Sequence, residues 1–301
     1  MADRFLMIGE TGQLARALAA KAAGAGVELI TLGRAVLDLR QTGAVRPAIL
    51  EAAERQPVSA IVNAAAYTAV DRAESEEDVA FRVNAAAPRE MAAAAAELGV
   101  PLLHVSTDYV FDGSKGAPYR ENDPPNPLSV YGRSKLAGER AVQETCAHHI
   151  IVRTAWVYGP VGQNFFNTML RLGRERDVLK VVADQQGSPT TTGDLASALL
   201  ALGKLAQAPA AERGVFHYVS SGETNWFGFA KEIFRNAAIA LPNVKWAEVA
   251  AIRTEDYPTA AVRPRYSVLS TQRIELAYDI RPRAWDVALQ DVVTDWTEAQ
   301  G

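Results

Sequence analysis

Tyr131 and Lys135 stand four residues apart in the run Tyr131-Gly132-Arg133-Ser134-Lys135. On a helix, positions i and i+4 share a face, so this spacing sets an ammonium beside a phenol. A cation there favours the phenolate and draws the tyrosine pKa down from its usual value of about 10. The phenol then becomes a proton donor or acceptor usable at cellular pH. Y-x-x-x-K also arises by chance, so the pair acquires meaning only if the rest of the chain builds a site around it.

Four other stretches bear on that question. Gly9-Glu10-Thr11-Gly12-Gln13-Leu14-Ala15 reads G-x-x-G-x-x-A, a relative of the dinucleotide fingerprint. Such glycines let backbone N–H groups approach a pyrophosphate at a helix N-terminus. Leu32-Gly33-Arg34 closes the second apolar run, where NAD-preferring sites place an acid for the ribose 2′-hydroxyl. A Gly followed by Arg34 favours NADPH, because a guanidinium can pair with a 2′-phosphate, and NADH stays possible. Asp38, just before Leu39, is expected either at the adenine edge or at the start of a turn. Asn63-Ala64-Ala65-Ala66-Tyr67-Thr68 puts small residues where a flat ring or ribose can lie on the backbone, although plain close packing explains them equally. Ser106-Thr107-Asp108-Tyr109 places a hydroxyl, Thr107, beyond a strand end, where it can bond a substrate oxygen or simply finish the strand.

The elements that must position these residues are legible in the hydrophobic pattern. Residues 5–8, 27–32, 60–63, 102–106 and 150–154 read as buried strands. Helical periodicity covers 13–23, 45–55, 78–98 and 130–147. Strands apolar throughout and separated by helices predict an α/β fold, a Rossmann-type doubly wound parallel sheet covered on both faces. Its ligand crevice lies beyond the carboxyl ends of the strands. After Trp156, glycines and prolines break the chain into shorter pieces, with helices expected over 165–176, 193–205, 226–238 and 285–297. Residues 1–160 are therefore expected to form the cofactor-binding domain. Residues 161–301 form mainly a smaller C-terminal substrate-binding lobe, with some segments returning to the sheet.

Composition narrows the function classes. With 301 residues, 49% hydrophobic, 22% charged and a net charge of −4, the chain has no electrostatic footprint for nucleic acid or an anionic membrane. No apolar run approaches the ~20 residues of a membrane span. No secretory signal is evident and there is one cysteine, Cys146, so a cytoplasmic location is expected.

Taken together, these motifs resemble the extended short-chain dehydrogenase/reductase superfamily and, within it, the dTDP-4-dehydrorhamnose reductase family. The likeness spans nearly the whole chain. It rests on Gly9-x-Thr11-Gly12-Gln13, on Asn63 to Asp71, on Ser106 to Gly113 and on Tyr131 to Glu139. Further on it rests on Arg153 to Tyr158, Asn164-Phe165, Asp184 to Thr190 and Arg263-Pro264. The resemblance implies a reductase of a dTDP-linked 4-keto sugar, with Tyr131 as general acid, Lys135 lowering the tyrosine pKa and holding the nicotinamide ribose, and Thr107 positioning the carbonyl. It implies cofactor contacts at Gly12, Gln13, Leu14, Asp38, Leu39, Ala66, Tyr67 and Thr68. Val70, Thr107, Asp108, Tyr109 and Trp156 would lie near the sugar, and Arg263 near its diphosphate. Tyr67 stands where relatives often carry His. Some members bind Mg2+ through glutamates at a dimer interface, but Ala17 occupies the first of those positions. No metal is expected, and the chain is expected to be a monomer or a homodimer.

Three rivals share the fold. A 4,6-dehydratase requires an Asp-Glu pair after the Thr, whereas Asp108 is followed by Tyr109. A 4-epimerase would favour an acid where Gly33-Arg34 stands. A non-catalytic relative would have no need of Thr107, Tyr131 and Lys135 together.

Overall fold

The computed structural model describes residues 3–299. Six parallel strands form the central sheet: β1 (Asp3–Ile8), β2 (Val27–Leu32), β3 (Ala60–Asn63), β4 (Leu102–Thr107), β5 (His149–Thr154) and, after shorter strands, β10 (Gly214–His217). Their spatial order is β10-β5-β4-β3-β1-β2. From β1 the chain moves outward to β2 and then crosses back to β3 on the other side. The connections diverge at that point, and this opens a crevice above the carboxyl ends of β1 and β3.

Alternation along β1 explains the two covered faces. Phe5 and Met7 join a core with Leu14 and Leu18 of α1 (Gln13–Ala22) and Leu195, Leu199 and Leu202 of a later helix. Leu6 and Ile8 point the other way, into a core with Ile49 of α2 (Val45–Arg55) and Met91 and Ala95 of a helix described below. With side chains turning at every residue, a strand buried on both faces must be apolar throughout.

Between β3 and β4 the helical segment is not the single run that periodicity predicts. A short α3 (Val70–Ala73) precedes α4 (Glu77–Phe81), a π-helical turn (Arg82–Ala86) and α5 (Ala87–Leu98). Gly99, with φ of 69°, ends α5 in the left-handed conformation. After β4 and a 3-10 turn (Asp108–Val110) comes α6 (Val130–Thr145), capped by the Ser129 hydroxyl, which accepts from Gly132 N at 3.1 Å.

The second half adds β6 (Val157–Tyr158), α7 (Phe165–Glu175), β7 (Val178–Val182), β8 (Gln186–Gly187), β9 (Thr190–Thr191) and α8 (Thr192–Leu205). After β10 come β11 (Thr224–Asn225), α9 (Trp226–Ala240), β12 (Glu248–Ile252), α10 (Gln272–Tyr278) and α11 (Trp285–Glu298). Elements α7, β7, α9 and α11 enclose a separate core of Phe166, Leu170, Leu179, Phe229, Ile233, Leu289 and Trp296. By contrast α8 covers the sheet beside α1, and β10 pairs with β5 at its edge. Among the described residues, no helix is long and apolar enough to cross a membrane.

Candidate active site

The first wall of the crevice is the turn after β1. Gly9 has a φ of +108°, and a Cβ on it would come within 3.3 Å of Ala65 Cβ in the loop after β3. Only glycine adopts that conformation freely while letting the two strand-end loops touch. Gly12 opens α1 without any side-chain cap, the first turn has no acidic residue, and a Cβ on Gly12 would meet no atom within 4 Å. The first N–H groups of α1 thus have no side-chain cap, and the space beside Gly12 is open, an arrangement that suits a pyrophosphate. Thr11 is exposed beside them, whereas Leu14 turns its side chain into the core. Gln13 is engaged: its Nε2 donates to Val157 O at 3.1 Å, and its Oε1 accepts from Asn164 Nδ2 at 3.1 Å. It ties the turn to the segment that begins the second lobe.

At the end of β2, Arg34 is exposed, while Asp38 accepts a forked pair of bonds from its neighbour Arg40. That pairing holds the Asp38 carboxyl down at about 2. Leu39 is buried in the α2 core, so its side chain is a support. After β3, Ala66, Tyr67 and Thr68 follow in an irregular loop. Tyr67 is anchored at both ends: its N–H donates to Asn84 Oδ1 at 2.8 Å and its hydroxyl to Glu76 Oε2 at 2.6 Å.

The opposite wall is β4 and α6. The Thr107 hydroxyl donates to Asp108 Oδ1 at 3.0 Å, and the Tyr131 ring stands edge-on to Tyr109 with centroids 5.5 Å apart. Burial raises the Tyr131 phenol to about 12, against the opposing effect of a side-chain hydrogen bond with Thr107. Lys135 shares the Tyr131 face of α6, but its Nζ donates to Val105 O at 2.7 Å and lies 3.4 Å from His104 Nε2. The expected lowering of the Tyr131 pKa is therefore absent from this conformation. The cation is turned toward the β4 backbone, leaving burial to dominate at Tyr131, and burial also brings the Lys135 ammonium itself down to about 8.

Beneath the lysine runs a polar chain. Asn63 Oδ1 accepts from Ala65 N at 3.1 Å, which leaves its amide nitrogen facing His104 Nδ1 at 3.0 Å. The imidazole thus lies between two donors, the Asn63 amide at Nδ1 and the Lys135 ammonium at Nε2. Burial first, and then the Lys135 charge, keep His104 well below its usual range. Deeper still, Arg153 of β5 makes a forked pair with Glu139 of α6 at 2.7 and 2.9 Å, and Ser106 donates to the same carboxylate. This buried pair fixes α6 on the sheet.

Asp108 is almost wholly buried and one of its oxygens, Oδ2, has no partner. Burial lifts its carboxyl to about 6, opposed by hydrogen bonding that includes the Thr107 hydroxyl. On the far side, Trp156 adopts a φ of 47° and stacks on Trp226 at 3.5 Å between centroids. Val70 opens α3, and the next residue, Asp71, grips Arg263 through both carboxylate oxygens at 3.1 and 2.6 Å.

Thr107, Asp108, Tyr109, Tyr131 and Lys135 thus converge, while Gln13, Asp38, Tyr67 and Arg263 are each held by a protein partner. Asn84 and His104 were not anticipated. A lone polar residue in an otherwise apolar strand was the available signal for His104, and Asn84 was hidden in a helical pattern.

A nucleotide turn at one strand end, facing a Thr–Tyr–Lys cluster at another, defines a dinucleotide-dependent reductase fold. The family model for the RmlD substrate binding domain matches residues 3–298. The dTDP-4-dehydrorhamnose reductase of Sinorhizobium fredii is 44% identical over 293 residues, covering 96% of each chain. Among solved structures, a dTDP-4-dehydrorhamnose reductase from Clostridium acetobutylicum superposes with a TM-score of 0.87 at 38% identity, covering 97% of this chain and 98% of that one. The Bacillus anthracis enzyme in complex with NADP gives 0.89 at 34% identity, covering 98% and 100%. The chain belongs to the dTDP-4-dehydrorhamnose reductase family.

Proposed function

We propose that the chain reduces the C4 keto group of dTDP-4-dehydro-6-deoxy-L-mannose (dTDP-4-dehydrorhamnose) to give dTDP-L-rhamnose, with NADPH as the reductant. The observation that carries this reading is the placing of Thr107 beside Tyr131, with Lys135 on the Tyr131 face of α6, in a chain whose relatives over 96% of its length are dTDP-4-dehydrorhamnose reductases. The open helix N-terminus at Gly12 fits a dinucleotide pyrophosphate, and a bound cofactor of this kind supplies hydride.

The chain's own residues do the rest. A phenol raised to about 12 is fully protonated at neutral pH, the correct resting state for a group that must give a proton to O4. Thr107 holds the carbonyl oxygen within reach of that phenol. Lys135 lies one helical turn away, with protons to offer a ribose hydroxyl once it leaves Val105 O. The Trp156–Trp226 stack supplies an apolar wall for the deoxy sugar, and the diphosphate competes with Asp71 for Arg263. Tyr109, following Asp108, has no carboxylate with which to drive loss of water, so reduction proceeds without dehydration. Residues 1–160 serve mainly the cofactor and 161–301 mainly the substrate, in the cytoplasm.

The test is oxidation of NADPH by the dTDP-linked 4-keto sugar, with the product identified by mass and NMR. Tyr131→Phe should lose roughly 10²–10⁴-fold in kcat. Turnover equal to wild type in that variant excludes Tyr131 as the acid.

A further inference from the structure

Dinucleotide folds carry the acid that grips the adenosine ribose at the end of the second strand. Here β2 ends at Leu32 and the next residue is Gly33, which has no side chain to offer. The space a side chain would fill is nevertheless taken. A Cβ on Gly33 would lie 1.9 Å from Glu10 Oε2, 2.9 Å from Glu10 Cδ and 3.0 Å from Glu10 Cβ. The carboxylate of the first loop therefore rests on the bare backbone of Gly33, where a strand-end aspartate would present its own oxygens. Glycine at 33 and glutamate at 10 are two halves of one arrangement.

The charges around it are already sorted. Asp38 is occupied by Arg40, and Arg34 adds its charge to the field on Asp38 from the same edge. That leaves one acid, Glu10, and one exposed base, Arg34, for the cofactor. We infer that Glu10 is the ribose-recognising acid of this chain, delivered from the nucleotide turn, and that its charge, opposed by Arg34, sets the balance between NADH and NADPH. The carboxylate accepts a hydrogen bond from the 2′-hydroxyl of NADH. A 2′-phosphate in the same place is repelled by Glu10 and held by Arg34, so neither cofactor is excluded. This inference rests on reading the crevice as a dinucleotide site.

The measurement is direct binding: dissociation constants of NADH and NADPH for the cofactor-free protein, followed by calorimetry, in wild type, Glu10→Gln and Arg34→Gln. Both changes are on exposed residues, and unchanged melting temperatures confirm folding. Wild type should bind the two dinucleotides within about tenfold of each other, since one charged bond serves each. Glu10→Gln should weaken NADH and strengthen NADPH, moving the ratio of constants roughly tenfold toward NADPH. Arg34→Gln should move it the opposite way. A ratio in Glu10→Gln within about twofold of wild type, with both dinucleotides still bound, overturns the role of Glu10 alone. Failure of wild type to bind either dinucleotide overturns the inference and the cofactor reading together.

Discussion

Replacing Lys135 by Met should stabilise the cofactor-free fold while abolishing reduction. Lys135 is 2% exposed, and burial brings its pKa from 10.5 to about 8, with Glu139 acting in the opposite direction. Each pKa unit is worth about 1.36 kcal/mol, so at pH 7 the buried ammonium costs the fold about 3 kcal/mol relative to the unfolded chain. A methionine of similar length keeps the packing of the stem. It loses the bond to Val105 O, worth about 1 kcal/mol for an uncharged donor. The net gain is about 2 kcal/mol at pH 7. Because the folded-state pKa lies below the unfolded one, wild type loses stability as pH falls from about 10.5 to about 8 and then levels off. The advantage of Lys135→Met is therefore full below pH 8 and fades as the pH rises toward 10. Urea unfolding of both proteins without cofactor, at pH 7 and pH 10, measures it as a difference, which cancels titrations common to the two. A variant less stable than wild type at pH 7, or an advantage equal at both pH values, would refute the argument.

Two glycines give further tests. A Cβ at Gly187 would lie 2.5 Å from Trp156 Cε2, and Trp156 cannot retreat because Trp226 is stacked behind it. Gly187→Ala should cost about 1–3 kcal/mol in urea unfolding and raise KM for the sugar nucleotide more than it lowers kcat. A Cβ at Gly138 would lie 1.9 Å from the backbone oxygen of Asn84, which has no rotamer to yield, so Gly138→Ala should cost about 3 kcal/mol or more by the same assay.

The sheet was readable because a central strand must be apolar at every position, as Phe5-Leu6-Met7-Ile8 is, and because Gly9 and Gly12 punctuate the change from strand to helix. The shared helical face of Tyr131 and Lys135 was likewise implicit in their spacing. Where Lys135 points was not, since its acceptor, Val105 O, comes from a strand 30 residues away. The same holds for Arg263, whose partner Asp71 lies 192 residues distant, and for Gln13, which bonds across 144 residues to Val157. Periodicity also passed over the π turn at Arg82–Ala86, because its composition suits an α-helix equally well. The return of β10 to the sheet edge could be expected only in general, as a four-residue run carries little pattern of its own.

That π turn sets a limit on engineering the chain. Asn84 sits within it and joins three parts: its Oδ1 accepts from Tyr67 N, and its Nδ2 donates to Tyr67 O and to the Ser134 hydroxyl of α6. One residue more than an α-helix needs is what aims this amide at both neighbours. Removing that residue would regularise the helix and swing the amide about 100° around its axis, away from both. A programme that scores variants by helical ideality would pick that deletion as an improvement, and would uncouple the loop after β3 from the helix bearing Tyr131. Heat-hardened versions of this protein are better sought on the outer faces of α2 and α11, where regular helix serves no second purpose.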